Sequence, residues 1–180
     1  MAPQSYEFSS DNSKLLIFTN TAKVWRYRTR GDYWVLDIDD NKLIQIGKSR
    51  PAQTLMFAKF SPDATRVGYV RENNIYMESL ADNRITQLTT DGAQYTVNGT
   101  FDWVYEEELF CRDGFQWSPD GKQIAYWQLD ASGVKEFKMI NNTAELYPKI
   151  ITFPYPKAGE MNSAARVGVV RASSEDGGVG

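Results

Sequence analysis

The sequence of 180 residues predicts an all-β fold, a partial β-propeller of about three to four four-stranded blades. Three observations predict it. A turn-and-strand pattern recurs three times, a second hairpin follows its first two occurrences, and no stretch of roughly 10–15 residues has helical periodicity. A β-sandwich also uses short strands at regular spacing. The recurrence of a whole four-strand unit favours the propeller.

The recurring pattern consists of an aromatic residue, a serine, a turn containing aspartate, and an apolar strand. The three turns read FSSD, FSPD and WSPD, and their serines Ser9, Ser61 and Ser118 lie 52 and then 57 residues apart. Proline after serine fixes φ for a turn, and Asp or Gly closes it. This spacing exceeds the roughly 40–50 residues of a typical blade, which predicts insertions.

A second hairpin completes the first two repeats. In the first, strands at 34–38 and 43–46 flank a turn at 39–42, and in the second, strands at 75–80 and 85–88 flank a turn at 81–84. Both turns contain Asp-Asn followed by a basic residue. Two hairpins per repeat give four strands, the unit of a propeller blade. Extra residues between Asn20 and Asp32 predict a longer loop or a strand extension.

These patterns place the repeats at about 6–47, 58–92 and 113–152, with an insertion at 98–112 between the second and third. Residues 153–172 are expected to start a further blade, and the small, Gly-rich tail 172–180 is expected to fray. Because a blade buries its faces only against neighbouring blades, we expect the chain to be a fragment of a larger propeller.

The composition excludes several kinds of site. The chain has no histidine, so a Ser-His-Asp triad, a Cys-His dyad and His-ligated zinc cannot form within it. The single Cys111 excludes an internal disulfide and is expected to be an inert thiol. The interspersed charges, with a formal net charge of −3, argue against nucleic-acid binding. No signal peptide and no membrane-spanning apolar run is visible, and no cofactor is expected.

The insertion at 98–112 is the candidate functional segment, because it carries three adjacent glutamates, Glu106, Glu107 and Glu108, among aromatic residues. A charge run usually faces water, but the flanking aromatic residues tend to be buried and would hold the carboxylates in place. Partly desolvated carboxylates seek a cation, and a primary ammonium offers three donors. Calcium is the alternative, but the Asp-x-Asp-x-Asp-Gly spacing is missing, so no metal ligand is predicted.

The segment 102–108, DWVYEEE, resembles the double-glutamate motif of the dipeptidyl peptidase IV family in the prolyl oligopeptidase class of serine peptidases. Segments 112–122, 125–130 and 155–160 are similar to bacterial members, and segments 25–27 and 33–37 are similar to the early blades of the family. The resemblance runs from about Tyr6 to Val170. Ser163 and Ser10 depart from prolines in the family, and neither is expected to touch the site.

The resemblance implies a fold and a reaction. The family fold is an eight-bladed propeller joined to an α/β-hydrolase domain, with the active site between them. The chain would then be part of the N-terminal propeller, with the C-terminal hydrolase domain absent from it. Alone, without the triad, it is expected to be inactive. The implied reaction is the release of N-terminal dipeptides with Pro or Ala at the second position.

The resemblance also implies roles for particular residues. Glu107 and Glu108 resemble the pair that binds the substrate's free α-ammonium, on a short helical insertion. Asp102, Trp103, Tyr105 and Glu106 would support them. Arg50, twelve residues before Pro62, resembles an arginine that binds a substrate carbonyl, although an exposed loop arginine is the alternative.

The expected partners are the N-terminus of a peptide substrate, the hydrolase domain and, by family, a second copy in a homodimer. The family suggests a periplasmic or secreted protein. Two other functions fit the same sequence. One is a non-catalytic propeller that binds proteins, since some relatives keep the fold without the nucleophile. The other is an unrelated binding module with a calcium-loaded acidic loop.

Overall fold

The computed structural model describes residues 3–173, which form fourteen strands and one short helix. In the first half the strands are β1 (Pro3–Phe8), β2 (Lys14–Val24), β3 (Tyr27–Asp37), β4 (Lys42–Ile46), β5 (Leu55–Phe60), β6 (Arg66–Arg71), β7 (Asn74–Ser79) and β8 (Ile85–Gln87). In the second half they are β9 (Thr96–Asn98), β10 (Phe115–Trp117), β11 (Gln123–Asp130), β12 (Glu136–Asn141), β13 (Lys149–Pro154) and β14 (Ala164–Arg171), and the helix is α1 (Trp103–Leu109).

The first two repeats are antiparallel four-stranded units, β1–β4 and β5–β8, as the sequence predicts. The extra residues of the first repeat extend β2 and β3 into a long hairpin, whose tip is Trp25 and Arg26 between the paired Val24 and Tyr27. At Arg30 and Gly31, β3 also pairs with β5, so the two units share one eight-stranded sheet.

Two hydrophobic cores lie between successive units. The first joins the first two repeats and is built on residues such as Leu16, Val35 and Tyr69. The second joins β6 and β7 of the second repeat to the third through Ile75, Trp117 and others. Each unit therefore buries its face against the next one, which is the packing of propeller blades. The partial propeller predicted from the sequence is confirmed.

The three predicted turns have the same hydrogen bonds. The hydroxyl of each turn serine donates to the aspartate two residues later, at 2.6 Å for Ser9, 2.5 Å for Ser61 and 2.6 Å for Ser118. The same hydroxyl accepts the amide five residues later, at the start of the next strand. In the first turn, hydrogen bonds from Ser9 and Ser13 lower the pKa of Asp11 to about 2. The sequence repeat therefore marks a repeated local structure.

The third unit differs from the expected repeat. Strands β9 and β10 pair with one edge of β11, and β14 pairs with the other edge along its whole length, from Asp130 opposite Ala164 to Gln123 opposite Arg171. The separate hairpin β12–β13 lies between β11 and β14 in the chain. We expected residues 153–172 to start a further blade. Instead they end β13 and form β14, which belongs to the sheet of β11 because it pairs with the open edge of that strand.

The C-terminal end of the third unit is packed against the rest of the chain. Ala172 is buried in the second core and its amide donates to the carbonyl of Lys122, so the expected fraying does not begin there. Residues 174–180 of the expected frayed tail lie outside the described residues. Between 3 and 173, no helix is long and apolar enough to cross a membrane.

The insertion at 98–112 leaves the sheet and returns to it at one point. Thr100 forms an isolated bridge with Asp113, and the amide of Gly114 donates to the carbonyl of Gly99 at 3.1 Å. Gly99 has φ +72°, and a Cβ there would lie 2.9 Å from side chains of both Ile75 and Val70. Glycine is therefore required where the insertion begins.

Candidate functional site

The helix α1 carries the glutamates of the insertion. Asp102 caps its N-terminus, since the carboxylate accepts a hydrogen bond from the amide of Tyr105 at 3.2 Å. Phe110 ends the helix in the left-handed conformation, and the amide of Cys111 donates to the carbonyl of Tyr105. The short helix expected from the resemblance is therefore present, and the local sequence supplies both of its ends.

The three glutamates have different environments, because successive helical side chains diverge by about 100°. Glu106 is buried, with 3% of its surface exposed, Glu107 is half-buried and Glu108 is exposed. The pKa of Glu106 is raised from 4.5 to about 7, mainly by burial and also by the charge of Glu107, with Arg112 opposing the shift. Glu106 is thus the most buried of the three glutamates, and its supporting role stays a prediction.

An arginine outside the predicted site residues contacts Glu107. Nε of Arg26, at the tip of the β2–β3 hairpin, lies 2.9 Å from Oε2 of Glu107. The Glu107 side chain is 8% exposed and that of Arg26 is 73% exposed. The other oxygen of Glu107, Oε1, is buried and has no hydrogen-bond partner among residues 3–173.

Arg50 lies elsewhere. It is exposed in the turn after β4, where its amide donates to the carbonyl of Gly47 at 2.9 Å, and no contact found in the described part of the chain joins it to α1. The sequence contained only one signal for Arg26, its place in the family-like segment 25–27 within the Arg- and Tyr-rich extension. No spacing rule connects two residues that are so far apart in the chain.

The other residues predicted to support the glutamates make contacts around α1. Trp103 packs on Tyr155, with ring centroids 4.4 Å apart, and Tyr105 packs on Phe101 at 5.6 Å. The hydroxyl of Ser163 donates to Oδ2 of the cap residue Asp102. This last contact is a correction, because Ser163 was expected not to touch the site. A serine there supplies a donor that a proline lacks.

Two cavities flank α1. One, of about 410 Å³, is lined by Asp102, Trp103 and Glu106 of the insertion and by Arg30 and Glu72 from the neighbouring units. The other, of about 510 Å³, is lined mainly by aromatic side chains, those of Trp25, Trp103, Phe137, Phe153 and Tyr155. Within the described residues, no three His, Cys, Asp or Glu side chains are placed to hold a metal ion.

Four-stranded antiparallel units packed face to face, interrupted by a capped helix with three glutamates, define a partial β-propeller with an acidic site on an insertion. Comparison with known families gives a more specific result. The model of the dipeptidyl peptidase IV (DPP IV) N-terminal region matches residues 9–177. The chain belongs to this family, and the resemblance found in the sequence is confirmed.

Individual relatives agree with the family match. Dipeptidyl aminopeptidase B of Saccharomyces cerevisiae is 36% identical over 97% of this chain and 21% of its own length. The probable dipeptidyl-aminopeptidase B of Podospora anserina is 35% identical over 86% of this chain and 18% of its own. The crystal structure of Porphyromonas gingivalis dipeptidyl peptidase 4 superposes with a TM-score of 0.85 and 34% identity, over 93% of this chain and 24% of that one. The chain therefore spans about a fifth of the length of the curated relatives it matches.

Proposed function

We propose that this chain is the substrate-positioning part of a dipeptidyl peptidase IV-like serine exopeptidase, which releases N-terminal dipeptides with Pro or Ala at the second position. The names of the relatives support the reaction class. The observation that carries the proposal is the arrangement of Glu107 on α1. One of its oxygens pairs with Arg26, and the other is buried without a partner in the described residues.

A buried acceptor without a donor is costly, so it marks a place where a ligand can bind. The ammonium of a peptide N-terminus has three donors and a positive charge, which suits Oε1 of Glu107 and the exposed carboxylate of Glu108. Holding the amine at this position leaves room for a fixed number of residues before the scissile bond. The proposed site would therefore set the length of the released product.

Arg26 is suited to bind a carbonyl of the same peptide. Nε of its guanidinium pairs with Glu107, and the side chain is largely exposed, so its other N–H groups can donate to a substrate carbonyl. We assign to Arg26 the role that the sequence suggested for Arg50, because Arg26 lies beside the glutamates. The Glu107 carboxylate would then hold the ammonium of the peptide and the Arg26 guanidinium a carbonyl of the same peptide, so that the two contacts orient the substrate.

The bond-breaking step needs groups that this chain does not supply. With no histidine, it contains no Ser-His-Asp triad. We propose that the acyl-enzyme forms on a serine of a hydrolase domain outside these 180 residues, and that the assembled enzyme is a homodimer. Within that enzyme the chain would contribute alignment of the substrate rather than chemistry.

The test is steady-state kinetics of the full-length gene product on a dipeptidyl chromogenic substrate. Glu107→Ala and Glu108→Ala are each expected to lower kcat/KM by more than about tenfold, which corresponds to about 1.4 kcal/mol. Asp40→Ala, which removes an exposed carboxylate from the β3–β4 turn, should leave kcat/KM unchanged. The wild-type enzyme should also reject the N-acetylated substrate, which has no ammonium.

Near-normal kcat/KM for both glutamate variants would refute amine binding by α1. A full-length protein that binds free-amine peptides but cleaves none would instead identify the non-catalytic propeller. The two functions also differ in the remaining reading frame, since the enzyme requires a Gly-x-Ser-x-Gly nucleophile elbow followed by Asp and His.

A further inference from the structure

The tip of the β2–β3 hairpin contacts three separate parts of the chain through three consecutive residues. Trp25 packs on Phe153 of β13, with ring centroids 4.8 Å apart. Arg26 pairs with Glu107 of α1. The ring of Tyr27 lies under the guanidinium of Arg112, 4.0 Å from the ring centroid, in the segment that follows α1. The tip is therefore fixed on both sides of the Arg26–Glu107 pair.

The backbone of Arg112 is hydrogen-bonded and its guanidinium is partly buried. Its carbonyl accepts a hydrogen bond from the hydroxyl of Thr100 at 3.1 Å, beside the bridge that closes the insertion. Its Nη1 is buried and has no hydrogen-bond partner within residues 3–173. The guanidinium is thus partly desolvated over the aromatic face, the condition in which a cation–π contact is strongest.

The Arg26–Glu107 pair would be weak without such support. The Glu107 side chain is 8% exposed but that of Arg26 is 73% exposed, so water and salt screen the pair from the arginine side and weaken it. Trp25 also has φ +49°, an unusual conformation for a bulky residue that persists only where contacts impose it. The neighbouring contacts therefore hold the tip in position.

We infer that Arg112 is a positioning residue for peptide binding, because its stack on Tyr27 holds the hairpin tip, and with it Arg26, against Glu107 of α1. This inference rests on the proposed function. Arg112 itself would not touch the substrate. The inference also predicts that Tyr27 affects peptide binding, which amine binding by the glutamates of α1 alone does not predict. The aromatic ring of Tyr27 is needed, whereas its hydroxyl is not.

The experiment measures KM and kcat of the full-length protein for a dipeptidyl substrate with a free amine. Arg112→Gln and Tyr27→Leu should each raise KM by between about 2-fold and 30-fold, the range that a cation–π contact supports, with kcat changed much less. Tyr27→Phe should restore the wild-type KM, since it keeps the ring. Arg112→Lys should restore it only in part, because an ammonium lacks the planar stack.

Two controls separate positioning from other effects. Arg28→Gln removes an exposed positive charge from the same hairpin, where its guanidinium bonds the carbonyl of Thr21, and should leave KM unchanged. Hydrogen exchange at residues 24–28 reports the docking of the tip directly. It should become faster in Arg112→Gln and Tyr27→Leu, with exchange in β6 and β7 unchanged, which shows that these variants remain folded.

Each outcome decides the inference. If Glu107→Ala abolishes binding while Arg112→Gln and Tyr27→Leu keep the wild-type KM, the inference is wrong and amine binding by α1 stands. If Tyr27→Phe raises KM as much as Tyr27→Leu does, the hydroxyl of Tyr27 and not the stack on Arg112 is responsible, and the inference is again wrong. If Glu107→Ala itself has no effect, the proposed function fails and the positioning role fails with it.

Discussion

The buried glutamate of α1 makes the stability of the folded protein depend on pH. Glu106 is 3% exposed, and burial raises its pKa from an ordinary value of 4.5 to about 7, with Glu107 adding to the shift and Arg112 opposing it. The folded state therefore binds the proton of Glu106 more tightly than the unfolded state. The stability that this proton confers is present below about pH 4.5 and is lost as the pH rises through about 7.

Glu106→Gln removes this dependence and keeps the shape of the side chain. A pKa of 4.5 in the unfolded state and about 7 in the folded state changes the free energy of unfolding by at most about 3 kcal/mol. About 2 kcal/mol of this change develops between pH 5 and pH 8. We expect the free energy of unfolding of Glu106→Gln, relative to wild type, to rise by up to that amount from pH 5 to pH 8. Urea unfolding of the full-length protein, followed by tryptophan fluorescence, measures it.

A control and a refuting result complete this prediction. Glu145→Gln removes an exposed carboxyl from the segment between β12 and β13 and shows the effect of losing one negative charge elsewhere. Equal differences between Glu106→Gln and wild type at both pH values would show that Glu106 does not titrate between them. A variant less stable than wild type at pH 8 would show that the ionised carboxylate makes favourable contacts.

Two further predictions concern the support of α1. Asp102→Ala should destabilise the helix by about 1 kcal/mol, seen as faster hydrogen exchange at Tyr105 and Glu106, and Ser163→Ala should have a smaller effect because the cap itself remains. Equal exchange in wild type and Asp102→Ala would refute the capping role. Gly99→Ala should destabilise the protein by more than about 1 kcal/mol, and by more than Gly159→Ala, which has φ +84° but no atom within 4 Å of the added Cβ. Equal losses for the two glycines, measured by urea unfolding, would exclude a clash at Gly99.

The sequence predicted those parts of the fold that depend on neighbouring residues. The Ser-x-Asp turns could be recognised because the hydroxyl of Ser118, for example, bonds an aspartate two residues away and an amide five residues away. The ends of α1 are equally local, but seven residues show too little periodicity to predict a helix, so it was expected only through the family resemblance.

The contacts that could not be predicted join distant parts of the chain. The pairing of β14 with β11 depends on a hairpin leaving the sheet between them, and nothing in the strand pattern of 164–171 specifies its partner. Arg26 reaches Glu107 only because β2 and β3 extend beyond their unit by several residues. The sequence indicated the extension, but its tip contacts Phe153 and Arg112, which are distant in the chain and could not be predicted as neighbours.

The charges around α1 explain how three adjacent glutamates can be tolerated. Arg26 pairs with Glu107, and Arg112 lies close enough to Glu106 to favour its ionised form. Because the pKa of Glu106 is raised to about 7, the Glu106 carboxyl is partly protonated at neutral pH, which lowers the repulsion within the row. Glu108 is exposed, and Oε1 of Glu107 is buried without a hydrogen-bond partner in the described residues. If α1 binds an ammonium as proposed, the positive charge of the ammonium would favour the ionised form of Glu106.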